Sequence, residues 1–306
     1  MRPIVISCVA LMILFAVGCG QKPASGITVD PAFRTLIAPD TKLLAGVDID
    51  SLKNSAFYQR HQRDLNLSIA DAAADRMGVN PLRDISKFLA AWNGTNWLFL
   101  QRGRFNASDV QKKMIASGAR ATKYKGKTLL GERGTAMVFF KSVAAEGSDA
   151  AVRYAVELEN AGQGEVPEEL EARLRTLSKN DQVWAVSRGG LAFADMPMNP
   201  DMESALSNIT GSVTGTTAGL YFDTGVHLSV DIQCVSDQGA TRVHDGLRGI
   251  IGFARLSAKD NQEDLLRAYD AIQVNKNNQV VEVRANLPAE LADKLIESLR
   301  SVKTMR

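Results

Sequence analysis

The sequence is poor in the residues that build reactive or ligand-binding sites: three cysteines, three histidines and 6% aromatics in 306 residues. So few cysteines cannot form a disulfide scaffold in a chain this long, and three histidines are few for a multi-ligand metal site. Scarce aromatics argue against platforms that stack bases or sugars. An excess of one charge is also missing. With 36 Lys+Arg against 34 Asp+Glu the formal charge is +2, so there is no strongly basic surface for a phosphate backbone and no nucleic-acid partner is expected. No G-x-S-x-G elbow, H-E-x-x-H helix or paired C-x-x-C occurs anywhere. What remains, 45% hydrophobic and 23% charged, is the composition of an ordinary globular protein, with no cofactor and no metal expected.

The N-terminus carries the clearest signal. Arg2 is the only charged side chain before Lys22, and Ile4 to Val17 are apolar except for one serine. Those residues span roughly 21 Å as a helix, short of the ~30 Å hydrocarbon core, and their position after a positive charge reads as a secretory h-region. The run Leu14-Phe15-Ala16-Val17-Gly18-Cys19 resembles the lipobox of bacterial lipoprotein signal peptides, with Ala16 where leucine is usual. The resemblance implies a signal peptide of residues 1–18, cleavage before Cys19, and acylation of that cysteine with palmitate-type chains. It further implies one partner, the lipid bilayer reached through acylated Cys19, and an address in the bacterial cell envelope facing the periplasm. Gly20 is not the aspartate that holds enteric-type lipoproteins in the inner membrane, which favours the outer membrane where one exists. Two or three acyl chains give stable anchoring, where one gives only marginal binding. Residues 19–30 then read as a flexible tether. With Cys8 discarded and Cys19 acylated, Cys234 is left alone.

Periodicity organises the rest. Leu43 to Ile49 alternates, with Leu43, Ala45, Val47 and Ile49 on one face of a half-buried strand. Phe57, His61, Leu65 and Ile69 form a helical stripe, and Ser68 with Asp71 signals a second helix ending at Gly78. Asn80-Pro81 marks a further helix start. Strands Phe88–Trp92 and Trp97–Leu100 flank Asn93-Gly94, a strong hairpin signal. Asn106 reads as the N-cap of a helix ending at Gly118, and short strands follow to Phe140, then a helix from Asp149 to Glu159. Asn160 to Val166 is glycine-rich and unpatterned, so it is taken as the boundary between a first domain, 31–160, and a second, 167–306. In the second, Val226 to Cys234 alternates without error and pairs with Thr216 to Phe222 across Asp223-Thr224-Gly225. A long helix carries Val243, Leu247, Ile250, Ile251 and Ala254. A hairpin around Asn275 to Asn278 and a last helix with Leu291, Leu295, Ile296, Leu299 and Val302 on one side complete it. The fold class is α+β: antiparallel sheets with helices on one face, in two related hairpin-helix-hairpin-helix halves, 88–159 and 216–302.

Chemistry is mostly excluded. His227 and Cys234 are an odd number of positions apart on one strand, so their side chains point to opposite faces and form no catalytic pair. Lys125-Gly126-Lys127-Thr128 ends like a phosphate loop, but Ala121 stands where the first glycine is required and the context is a hairpin. His61 reads as a hydrogen-bonded core residue. Two candidate binding surfaces remain. One is a basic line of His244, Arg248 and Arg255 on the long helix, able to meet anionic lipid or cell-wall polymer. The other is the outward face of the Val226–Cys234 strand, His227 and Asp231 with Gln233, beside Glu282 and Arg284. Gly246, Gly249 and Gly252 in that helix each cost about 1 kcal/mol against alanine, which predicts close approach by another element.

Ala45-Gly46-Val47-Asp48, Gly78-Val79-Asn80-Pro81-Leu82-Arg83-Asp84, Arg102-Gly103-Arg104-Phe105 and Val183-Trp184-Ala185-Val186-Ser187 resemble segments of a group of uncharacterised bacterial envelope proteins. That group has no assigned activity, so the resemblance implies no catalytic residue. The leading expectation is a membrane-anchored lipoprotein with a non-catalytic binding or structural role. The alternatives are a carrier of lipid or another apolar ligand, and a hydrolase without a recognisable motif, which two or more carboxylates converging in one cleft would support.

Overall fold

The computed structural model describes residues 26–62, 79–189, 210–258 and 262–304. The expected signal peptide, Cys19 and the expected tether as far as residue 25 lie outside the described residues, as do Leu65, Ile69 and the helix expected from Ser68 to Gly78.

Twelve strands among the described residues form one sheet: β1 Leu43–Asp48, β2 Ile85–Trp92, β3 Trp97–Gly103, β4 Arg120–Tyr124, β5 Lys127–Glu132, β6 Thr135–Phe139, β7 Val143–Ser148, β8 Val183–Arg188, β9 Val213–Phe222, β10 Val226–Cys234, β11 Ile272–Asn277 and β12 Val280–Leu287. The spatial order is β11-β12-β10-β9-β8-β1-β2-β3-β7-β6-β5-β4. Every pairing is antiparallel. The helices are α1 Pro31–Arg34, α2 Ile49–Asn54, α3 Ala56–His61, α4 Pro81–Asp84, α5 Ala107–Ala116, α6 Asp149–Ala161, α7 Glu168–Leu174, α8 Asp237–Ser257, α9 Glu263–Asp270 and α10 Ala289–Thr304. The fold is α+β with a large antiparallel sheet, as the alternating strands and short connections require.

Local signals act where they occur. Asn106 caps α5 by accepting from Ser108 N at 3.0 Å, and Asn80 caps α4 by accepting from Leu82 N at 3.0 Å, each orienting amide groups that the first turn leaves unpaired. Lys125 and Gly126 (φ 43° and 86°) both adopt the left-handed conformation of a two-residue hairpin turn, so the lysine-rich loop is a turn and not a phosphate cradle.

Three expectations are corrected. The boundary at 160–166 does not divide the fold into domains 31–160 and 167–306. β8, beyond it, pairs with β1, and Leu170, Leu174, Trp184 and Val186 share one buried cluster with Leu44, Leu100 and Val152. Separating them would expose two long sheet edges. The tether expected over residues 19–30 does not extend to residue 30, because residues 27–30 belong to the fold. Val29 is buried, Ile27 N–H donates to Leu174 O at 3.0 Å, and Asp30 caps α1 while both its carboxylate oxygens accept from Arg102. Finally, helices cover both faces. The large cluster with α1, α6 and α7 lies on one face; Ile49, Val110, Met114, Leu130 and Met137, with α2 and α5, lie on the other. For this reason Leu44 and Gly46, not Leu43 and Ala45, are the most deeply buried residues of β1.

The two halves repeat a topology. β1, the β2–β3 hairpin and β7 beside β3 match β8, the β9–β10 hairpin and β12 beside β10, related about the β1–β8 pair. The repeat is incomplete. The first half has an extra β4–β5 hairpin, and its last helix, α6, packs in the large cluster. The last helix of the second half, α10, instead joins α3 through Asp293 on the opposite face, where Phe57 of α3 stacks on Phe222. With no helix like α6 on it, the large-cluster face of β9, β10 and β12 carries Thr217, Asp231, Glu282 and Arg284, where the first half carries Leu98, Leu100, Val138 and Ala145.

Candidate functional site

The sequence-derived candidate residues fall on opposite faces of the sheet. α8 packs through Ala240, Val243, Leu247 and Ile250 against Ile232, Cys234 and Val281. Its basic line is partly neutralised: His244 Nδ1 lies 2.8 Å from Asp245 Oδ1, and Arg255 lies 2.5 Å from Asp270 of α9. Arg248 is exposed. His227 and Asp231 are on the other face. Arg284 Nη2 approaches Asp231 within 2.6 Å. His227 sits with Nδ1 3.0 Å from Asn286 Oδ1 and Nε2 3.1 Å from Asp223 Oδ1, stacked on Tyr221. An oxygen at each ring nitrogen favours the doubly protonated imidazole, so the bond to Asn286, with that to Asp223, raises the His227 pKa. The five residues do not make one site.

Cys234 is 2% exposed on the α8 face, away from His227, and burial raises its thiol pKa. That makes it a small core residue rather than a nucleophile. His61 is likewise part of the core, 7% exposed, with Nε2 2.7 Å from Asp293 Oδ1. Gly249 and Gly252 contradict the close approach expected of them: a Cβ at either would meet nothing within 4 Å. Their helix-propensity cost is therefore uncompensated by packing. Gly249→Ala and Gly252→Ala should each stabilise the protein by up to about 1 kcal/mol, read as a higher urea midpoint.

Two clefts escaped sequence reasoning. One, of 180 Å³, lies where β1 ends and β8 begins, and is bordered by Asp30, Asp48 and Asp181 with Lys87, Lys179 and Trp184. Three carboxylates thus meet one cleft, the condition set for a hydrolase, but each serves the structure. Asp30 holds Arg102 and caps α1; Asp48 caps α2 by accepting from Ser51 N at 2.9 Å. Asp181 accepts from Ser178 N at 3.1 Å, and its pKa is raised because burial penalises the charged form. The cap position of Asp30 before Pro31 was legible; nothing local announces Asp181. A carboxyl with a raised folded-state pKa binds its proton more tightly in the native than in the unfolded chain. Its contribution to stability is full below the ordinary value of 3.8 and is lost as pH rises through the raised value. Asp181→Asn should therefore be more stable than wild type at neutral pH, the difference vanishing in acid, by thermal melts across pH.

The second cleft, of 220 Å³, is lined chiefly by apolar groups between α6 and the β2–β3 hairpin: Leu36, Ala91, Leu98, Ala151, Tyr154 and Ala155. It draws on the first hairpin and not the second. Among the described residues no group of three or more metal-ligating side chains is placed to hold an ion, and no helix is long and apolar enough to cross a membrane.

No family model and no curated protein matches the chain. Solved structures do resemble it. Crystal form III of TP0453 aligns with a TM-score of 0.51 at 10% identity, over 88% of this chain and 99% of that one. Form IV gives 0.49 at 12% identity (88% and 97%), and form I gives 0.46 at 9% (89% and 98%). At such identity the form III likeness is one of fold alone, and it extends over nearly the whole of TP0453.

Proposed function

We propose that this chain is a bacterial envelope lipoprotein, held to a bilayer by acylated Cys19 and facing the periplasm, with a non-catalytic binding or structural role. The observation that carries the reading is the lipobox-like run ending at Cys19, seven residues before Gly26, where the described fold begins. The engagement of Asp30, Asp48 and Asp181 in caps and backbone hydrogen bonds supports the non-catalytic part. The near-zero net charge leaves attachment to the acyl chains, without a polybasic surface to assist. Cell fractionation tests it. Wild type should stay with the membranes through a high-salt wash, and Cys19→Ser should appear in the soluble fraction; identical partitioning would overturn the reading.

A second reading, a carrier of an apolar ligand, is favoured by one observation. On the α8 face of the central strands, Phe88, Trp97, Phe99, Val47, Leu220, Phe222, Leu228 and Val230 are only half-buried. Mass spectrometry of lipid extracted from the purified protein tests this: a stoichiometric lipid supports the carrier, none opposes it.

A further inference from the structure

We propose that one end of the sheet, the end where β1 finishes and β8 begins, faces the bilayer, and that the outer side of the last turns of α8 lies against the lipid. The proposal deepens the lipid-anchored reading and rests on it.

The chain joins the fold at that end. A Cβ on Gly26 would lie 2.4 Å from Leu174 O and Arg175 Cα, so Gly26 is pressed against the C-terminus of α7, beside the cleft that holds Asp48 and Lys179. Six residues lie between it and Cys19, so the seven Cα-to-Cα steps reach at most about 25 Å when fully extended. The body therefore cannot swing freely, and the end bearing Gly26 stays near the anchor.

α8 delivers a different kind of surface to the same end. It starts at the opposite one: its N-cap Ser236 follows the last residue pair of β10, and Arg242 donates to Ser212 Oγ, just before β9, at 3.1 Å. It finishes where Arg255 meets Asp270, two residues before β11 begins opposite Ala285, near the turn from β12 into α10. At 3.6 residues per turn, Gly249, Gly252, Phe253 and Leu256 fall within an arc of about 100° on the side away from Val243 and Leu247. Phe253 is 74% exposed and Leu256 87%. A Cβ at Gly249 or Gly252 would touch nothing, so this side is bare. A soluble helix puts charge there, and the first half of α8 does so with Arg242 and Asp245. The second half has no charged residue on that arc, while exposed Arg248 borders it on one side, placed to reach a phosphate headgroup as the apolar side chains enter the interface.

The test uses the acylated full chain carrying Cys234→Ala and one new cysteine, Leu256→Cys on α8 or Thr95→Cys in the β2–β3 turn at the far end. Each is nitroxide-labelled and bound to phosphatidylethanolamine–phosphatidylglycerol vesicles. At 256 the ratio of collisions with lipid-soluble oxygen to those with a water-soluble nickel chelate should rise several-fold on vesicle binding; at 95 it should not change. If the protein floats with the vesicles but the label at 256 stays as water-accessible as that at 95, the orientation is wrong and the anchor stands. Protection of the 256 label from both reagents would mean a protein partner covers α8, and would also overturn the proposal. Failure to float would remove the anchor and this inference together.

Discussion

Leu100→Ala should cost about 3–5 kcal/mol, a large part of the 5–15 kcal/mol that stabilises a typical domain. Leu100 is fully buried on β3, paired with Leu89 on one side and Ala145 on the other. Its side chain lies in the cluster that joins α1, α6 and α7 to the sheet. The strands on both sides are fixed by their ladders, and α6 buries Val152, Ala155 and Val156 in the same cluster. Little is free to collapse into the space vacated, so the cavity persists and adds to the lost transfer energy. Urea denaturation should show a large fall in midpoint at nearly unchanged slope. Ile115→Ala, at a side chain 49% exposed, should stay within about 0.5 kcal/mol of wild type. Similar losses at the two positions would mean that the large cluster is not the core.

Gly46→Val fails for the opposite reason, too much matter in too little space. Gly46 pairs with Leu89 of β2 and Trp184 of β8 at the centre of the sheet. A Cβ there would lie 2.2 Å from Trp184 Cζ2, inside any tolerable contact. The backbone cannot retreat, being hydrogen-bonded to both neighbours, and the indole is only 9% exposed. The expected cost is about 3 kcal/mol, the upper range for overpacking. Because the clash is specific, Gly46→Val with Trp184→Ala should lose less than the sum of the single changes, with a coupling above about 1 kcal/mol. Strict additivity would show that Trp184 does not occupy the space above Gly46.

These two sites also show what the sequence could and could not convey. Alternation along β10, the caps Asn80 and Asn106 and the hairpin turns are local, and local physics made them legible. The β1–β8 pair that fuses the halves joins residues about 140 positions apart and leaves no local mark. Gly46 looked like one more strand residue, because its requirement comes from a tryptophan on another strand. Gly249 and Gly252 misled in the opposite sense: glycine in a helix suggested a neighbour, and the neighbour is absent. Ile27 and Val29 read as tether because they are too few to show a period, although Asp30-Pro31 already carried a helix-start signature. Of the candidate surfaces, the wet face of β10 and β12 was legible from alternation. The bare second half of α8 was not, since exposure of Phe253 and Leu256 depends on where the helix ends relative to the sheet.

The most direct test of the account is incorporation of labelled palmitate into wild type and Cys19→Ser expressed in a bacterial host. Label in the wild type and none in Cys19→Ser is the predicted result. Equal label in both, or none in either while the leader is removed, would contradict attachment through Cys19.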